Sequence, residues 1–223
     1  MFGLFGRRKP ILKIAPRQEV EVEILEGETP QSYFSHLINL EKKRIVLSLP
    51  SRGEKTAPCA LGDKVTVAFM NDDIFVSFES RIIEKRSTQI ELAVPREVFE
   101  EKTPLFSGEL NLEVPIPIQY RAMNTAHMQV ASAKVITSTG MQIVTNLPIP
   151  QGTDLYIEMH VPDSPLAKAK GKVSKSQRLP ADSKKCLTEI DLEEFDLKEK
   201  ENFLKYTILY QYRMKRRAFS KAE

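Results

Sequence analysis

This chain of 223 residues has few residues of the kinds that carry reaction chemistry or staple a fold: two cysteines, three histidines and nine glycines. Cys59 and Cys186 lie far apart and in no metal or redox spacing, so they are expected as reduced structural thiols in the cytoplasm, not as parts of a disulfide framework. His36, His127 and His160 fall in or beside different strand-like segments. No two of them share the i, i+4 spacing of a helical zinc pair, and a metal site is not expected. The sparse glycines form no G-x-S-x-G elbow, no G-x-x-x-x-G-K-[ST] loop and no G-x-G-x-x-G turn, which leaves nucleotide-hydrolysing and dinucleotide-dependent chemistry without its usual cradle. No nucleophile is marked by a neighbouring base, and most carboxylates alternate with lysines as solvated surface does. The expectation is a protein that is not an enzyme and has no cofactor.

Charge of one sign is lacking too. With 33 Lys+Arg against 30 Asp+Glu, the net charge is +3, too small at this size for a protein that coats nucleic acid. No apolar run approaches the roughly 20 residues of a membrane-spanning helix. At the N-terminus, Phe2, Leu4 and Phe5 precede Arg7, Arg8 and Lys9, the reverse of a secretory signal. Residues 1–13 are expected to be a flexible leader, with residues 1–9 offering at most a weak peripheral membrane contact.

What the chain has is alternation. Glu19 to Leu25 reads Glu-Val-Glu-Val-Glu-Ile-Leu, which puts Val20, Val22 and Ile24 on one face of a strand. Strand-like runs come next at Tyr33–Leu40, Arg44–Leu49, Lys64–Phe69, Ile74–Glu84 and Gln89–Val94, divided by turn residues such as Gly62-Asp63 and Asn71-Asp72-Asp73. Six short strands with regular turns predict a small barrel or sandwich over residues 14–96. From Glu97 to Glu113, five glutamates face Lys102 alone, with Pro104 and Gly108 as breakers, and residues 97–113 are expected to be an acidic inter-domain connector. Strand patterns resume at Val114–Arg121, Val130–Thr137, Met141–Thr145, Asp154–Val161, Ala167–Lys175 and Cys186–Leu192. They predict a second barrel over residues 114–217.

The last element changes period. Leu204, Ile208 and Gln211 step along one stripe beside Phe203, Thr207, Tyr210 and Met214, which predicts a C-terminal α-helix. Asp196 and Glu199 have capping-box spacing at its start, and Arg213, Lys215, Arg216 and Arg217 fall where cations complement the helix dipole. That basic run is expected to be solvated surface, and residues 218–223 a tail. The fold class expected is mostly β: two small β-barrels and a C-terminal helix.

One segment is more specific. Val135-Ile136-Thr137-Ser138-Thr139-Gly140-Met141, then Pro148 to Gly152, Val161-Pro162-Asp163 and Ala167 to Val173 together resemble a PilZ domain from Gly108 to Arg217. Tyr33-Phe34-Ser35, Ile45 to Pro50, Leu61 to Val67 and Ile90 to Pro95 resemble the domain that precedes PilZ in YcgR-like flagellar brake proteins. The resemblance implies a split-barrel-like N-terminal domain, a six-stranded PilZ barrel and a bacterial, cytoplasmic regulator of cyclic di-GMP signalling. Its partner would be a protein of the motility or envelope machinery. No nucleic-acid partner is implied.

The family's ligand is doubly anionic, and the resemblance places its arginine motif RxxxR in the connector, where planar forks meet phosphate oxygens and guanine edges. Registered on Val114-Pro115-Ile116-Pro117, the two arginine positions fall on Glu109 and Glu113, and a basic neighbour falls on Gly108. Charge-assisted hydrogen bonds contribute about 1.5–3 kcal/mol each, so the two anchors account for about 3–6 kcal/mol. In the family's second motif the Asp/Asn position is Val135, while Thr137 keeps a hydroxyl and Gly140 the turn glycine. A hairpin whose glycine supplies positive φ is the expected role of Thr137 to Gly140. Arg121 and Arg178 are further basic residues within the second barrel. Cyclic di-GMP binding is therefore expected to be weak or absent. The alternative is a receptor that uses an altered site to change the arrangement of its two barrels.

Overall fold

Alternation at Val20, Val22 and Ile24 becomes a strand whose inward side chains are 0–1% exposed, and this pattern repeats until the sheet closes on itself. The computed structural model describes residues 14–27, 29–103, 109–180 and 182–219. The leader expected over 1–13, Gly108 and residues 220–223 lie outside them. The chain divides into two compact units, 1–103 and 104–223, each described by itself.

The first unit contains β1 (Glu19–Glu26), β2 (Thr29–Leu40), β3 (Arg44–Ser48), β4 (Ser51–Arg52), β5 (Lys55–Thr56), β6 (Lys64–Asn71), β7 (Ile74–Lys85), β8 (Gln89–Ala93) and β9 (Phe99–Lys102). Its ring runs β1-β6-β7-β8-β3-β2 and is closed by antiparallel pairing of β1 with β2. The ladder jumps register between Leu37 and Asn39 of β2 and between Ile82 and Glu84 of β7. Such irregularities bend a strand, and here they fall in the two 12-residue strands of the ring. Val20, Val22, Ile24, Tyr33, Leu47 and Phe69 belong to one buried cluster, and each such large side chain contributes roughly 1.5–3 kcal/mol by leaving water. On β8, Glu91 is buried at 3% exposure, with Arg44 Nη1 at 2.8 Å and Arg86 Nη2 at 3.2 Å. The same arginines reach Glu41 and Glu84, and their hydrogen bonds hold both of these carboxyls below the usual range.

The second unit contains β10 (Leu110–Ala122), β11 (Gln129–Ile136), β12 (Gly140–Thr145), β13 (Asp154–Met159), β14 (Ala167–Leu179), β15 (Asp182–Glu194) and α1 (Leu197–Phe219). The strands close in the order β10-β11-β12-β15-β14-β13. Ile116, Ile118, Ile143, Ile157, Met159 and Ile190 fill the interior at 0–1% exposure. Asp196 caps the helix: its Oδ1 accepts from the Glu199 N–H at 3.0 Å, and its carbonyl accepts from the Lys200 N–H at 2.9 Å. Phe203, Leu204 and Ile208 are the buried apolar face of α1, which lies against β10 and β14.

Three expectations change. The stretch 97–113 is not all connector, because Phe99–Lys102 pairs with Ile74–Ser77 of β7 and β10 already begins at Leu110. A run of glutamates reads as linker, yet Phe99 sets its ring edge-on to Phe75 at 6.2 Å and Lys102 reaches Asp73 at 3.6 Å. The helix continues to Phe219, into the expected tail. Gly140 is also not needed for positive φ, which occurs instead at Gly27, Gly53, Gly62 and Gly152. A Cβ on Gly140 would stand 2.4 Å from the Ile190 carbonyl oxygen, and one on Gly171 would stand 2.6 Å from the Asp191 oxygen. Both glycines let their strands close tightly on β15.

Gly140→Ala is therefore expected to lower the unfolding free energy by at least about 2 kcal/mol, because backbone must move to admit the methyl group. Gly53→Ala, at φ +59° in open space, should cost only about 1 kcal/mol. Urea denaturation of the two variants checks the difference.

Candidate functional site

The turn between β11 and β12 is built from its own side chains. Thr137 Oγ1 accepts from the Gly140 N–H at 2.8 Å and from the Thr139 N–H at 3.3 Å. The Thr137 N–H donates to the Gly140 carbonyl at 2.9 Å, and the Leu192 N–H donates to the Thr139 carbonyl at 2.8 Å. From the first turn of α1, Lys200 Nζ donates to the Ser138 carbonyl. The Thr137 hydroxyl thus already accepts from two amides of its own turn. Val135 is buried at 8% exposure, between Asn111 of β10 and Gln142 of β12. It offers the surface neither charge nor a hydrogen bond.

Glu109 is exposed and directly precedes Leu110, which pairs with Ile136, so the register sets it beside Thr137. Glu113 takes another course. Between Asn111 and Ile116 the β10–β11 ladder shifts, leaving residues 112–115 opposite Lys134 alone, and in this interval α1 takes over. Val114 donates its N–H to Gln211 Oε1 at 2.9 Å, and its carbonyl accepts from Gln211 Nε2 at 2.8 Å. One helical turn later, Lys215 Nζ lies 2.6 Å from Glu113 Oε1. The structure thus gathers Glu109, Val135, Thr137 and Gly140 at one end of β10, β11 and β12, and draws Glu113 to the helix.

The basic run at the helix end is only partly solvated surface. Arg213 is 4% exposed, and its Nη1 lies 3.0 Å from Asp163 Oδ2, itself largely buried. Its Nη2 reaches the Pro162 carbonyl at 3.4 Å, and its guanidinium lies 5.4 Å from the Tyr210 ring centre. The Val161-Pro162-Asp163 turn, with Asp163 at φ +70°, is thereby pinned to α1. Arg121 is likewise engaged: Nη1 donates to the Thr125 carbonyl at 2.8 Å, and the guanidinium stacks 5.0 Å from the Tyr156 ring centre. Sequence reasoning placed Gln211 on the helix stripe without assigning it a role, although a polar residue on an apolar face signals a buried partner. Asp163 lies 50 residues from Arg213, and no local pattern announces that pairing.

One shallow groove lies on this unit, lined by Tyr156, Lys168, Lys170, Glu193, Glu194 and Asp196 among others. It includes none of the sequence candidates, and its opposite charges meet, as in the 2.5 Å contact of Lys170 with Glu194. Among the described residues no group of three His, Cys, Asp or Glu side chains is placed to hold a metal ion, and no helix is long and apolar enough to cross a membrane. Burial raises the Cys59 thiol above its ordinary pKa, and both cysteines are free and buried.

Breaking the buried pair with Arg213→Met should cost about 1.5–3 kcal/mol, because it removes a charge-assisted hydrogen bond from the largely buried Asp163 carboxylate. Glu113→Gln removes an ion pair whose side chains are 60% and 42% exposed, and should cost less than about 1 kcal/mol. Chemical denaturation of both variants distinguishes the two classes of contact.

Residues 15–94 match the family model PilZNR, described as flagellar protein YcgR. Among solved structures, the chain is similar to the Bacillus subtilis inhibitor of motility MotI/DgrA, at 17% identity, with 90% of this chain and 99% of that one covered and a TM-score of 0.42. It is similar to the K. pneumonia MrkH–c-di-GMP complex at 11% identity, 91% and 90% coverage and a TM-score of 0.40. It is also similar to Escherichia coli YcgR in complex with c-di-GMP, at 12% identity, 93% and 89% coverage and a TM-score of 0.36. No curated protein matches the chain.

Proposed function

We infer that this YcgR-like chain, whose residues 15–94 match the PilZNR family model, is a non-enzymatic regulator that acts by protein–protein contact on motility or envelope machinery, with weak or absent cyclic di-GMP binding. The observation that carries this reading is the fate of the anion-binding positions. Glu109 and Glu113 are carboxylates, and Glu113 is committed to Lys215 at 2.6 Å. Val135, where the family resemblance implies a polar side chain, is buried, and Thr137 already accepts two turn amides. A doubly anionic ligand would meet repulsion where it needs paired donors, and the missing arginine contacts alone correspond to about two to four decades in affinity. The flagellar description of the matched domain supports motility as the pathway.

A receptor with an altered site is the second reading. It is favoured by the turn itself, whose backbone is braced through Thr137, Gly140 and Leu192. Calorimetric titration with cyclic di-GMP separates the two. The expected outcome is no binding tighter than about 10⁻⁴ M, about −5.5 kcal/mol; micromolar affinity would overturn ligand independence. In the Glu109→Arg, Glu113→Arg double variant, recovered affinity would show that the rest of the pocket survives. With Val135 buried, the recovery should be partial, roughly tenfold to a hundredfold.

A further inference from the structure

We propose that Gln211 makes the C-terminal half of α1 and the entry of β10 a single conformational element, so that the helix latches the strand on which the chain enters its second unit. The motivating feature is a gap in the barrel wall. Between Asn111 and Ile116, four residues of β10 stand against one of β11, and Val114 lies in that interval with no strand partner on that side. Its N–H and its carbonyl are both satisfied by one side-chain amide, at 2.9 and 2.8 Å. Gln211 is 8% exposed, so the exchange occurs away from bulk water, where an unmade hydrogen bond is costly. The amide of Gln211 supplies what a neighbouring strand would have supplied.

Two further contacts lie within one turn of helix from this clamp. Lys215 holds Glu113, the residue before Val114. Arg213 holds Asp163 and the Pro162 carbonyl. If the last turns of α1 lift, Val114 loses both partners at once, and Glu113 loses its cation. If Val114 is pulled from its bulge, Gln211 is left buried and unpaired. The coupling therefore runs both ways, as linkage requires, through a physical contact and not through mere proximity. A partner that grips the end of α1 acts on residues 109–114 by this route, whether or not any nucleotide binds the 137–140 turn.

Amide hydrogen exchange of the full-length chain, followed by NMR, tests the latch. In Gln211→Leu, the Val114 amide should exchange about ten- to a hundredfold faster, together with amides of the last two turns of α1, while β12 and β15 keep their protection. Against Lys215→Gln, which removes the same contact to Glu113 without loosening the helix, Lys215→Gly loosens this partly exposed position and leaves Gln211 in place. It should also accelerate the Val114 amide, and it decides the matter alone if Gln211→Leu does not fold. A Val114 rate in Lys215→Gly no faster than in Lys215→Gln, or acceleration of Val114 only in step with β12 and β15, would overturn the proposal.

Discussion

The second unit depends on how closely its backbones approach β15. At Ile190 and Asp191 that strand is flanked by Gly140 of β12 and Gly171 of β14, and at each glycine a single added carbon would meet a backbone oxygen at 2.4 or 2.6 Å. Closure at this level fixes the course of β15, and the later chain is anchored from there. Leu192 reaches back to brace the 137–140 turn, the strand ends at Glu194, and Asp196 starts the helix two residues later. A helix launched from that point delivers Gln211 to the bulge of β10 and Arg213 to the turn after β13. Tight strand packing, more than charge, sets where the polar contacts fall.

Specific carboxylates of both units are neutralised by specific cations. Glu91 draws in Arg44 and Arg86, Asp163 draws in Arg213, and Glu113 holds Lys215. Each pairing takes a cation that a free anion would otherwise compete for, and Glu91 and the largely buried Asp163 could not be left alone without a large desolvation penalty. The near-balance of 33 basic and 30 acidic residues is therefore more than an average. At the helix end it reflects cations matched to specific carboxylates across the unit.

The long strands were legible because their signal is local. Val20, Val22 and Ile24, or Leu155, Ile157 and Met159, alternate with polar residues, and burial on one face is the direct result. The helix was legible for the same reason, with a cap written in Asp196 and Glu199. The two-residue strands β4 and β5 and the wholly exposed β9 were not, because nothing in Ser51-Arg52, Lys55-Thr56 or Phe99 to Lys102 alternates with burial. The role of Gly140 escaped as well. A glycine in a turn invites a φ argument, whereas its actual constraint is set by Ile190, fifty residues further along the chain. Of the site, the inverted charge at Glu109 and Glu113 could be read from spacing. The diversion of Glu113 to Lys215 could not, since it depends on the helix position.

The seam between β12 and β15 also bears on how the unit forms. It joins Gly140 to Asp191 and Thr145 to Cys186, so its strands meet only after the chain between them, including β13 and β14, has been drawn in. Local hairpins such as β11–β12 and β14–β15 need no such wait, and the entropy of closing the large loop is lost before the seam returns any contact energy. The barrel should therefore zip from its hairpins and shut at this seam late, with α1 settling after it. A fault at the Gly140 contact would then leave the folding rate almost untouched and shorten the lifetime of the finished barrel, because that contact belongs to the native state and not to the transition state before it.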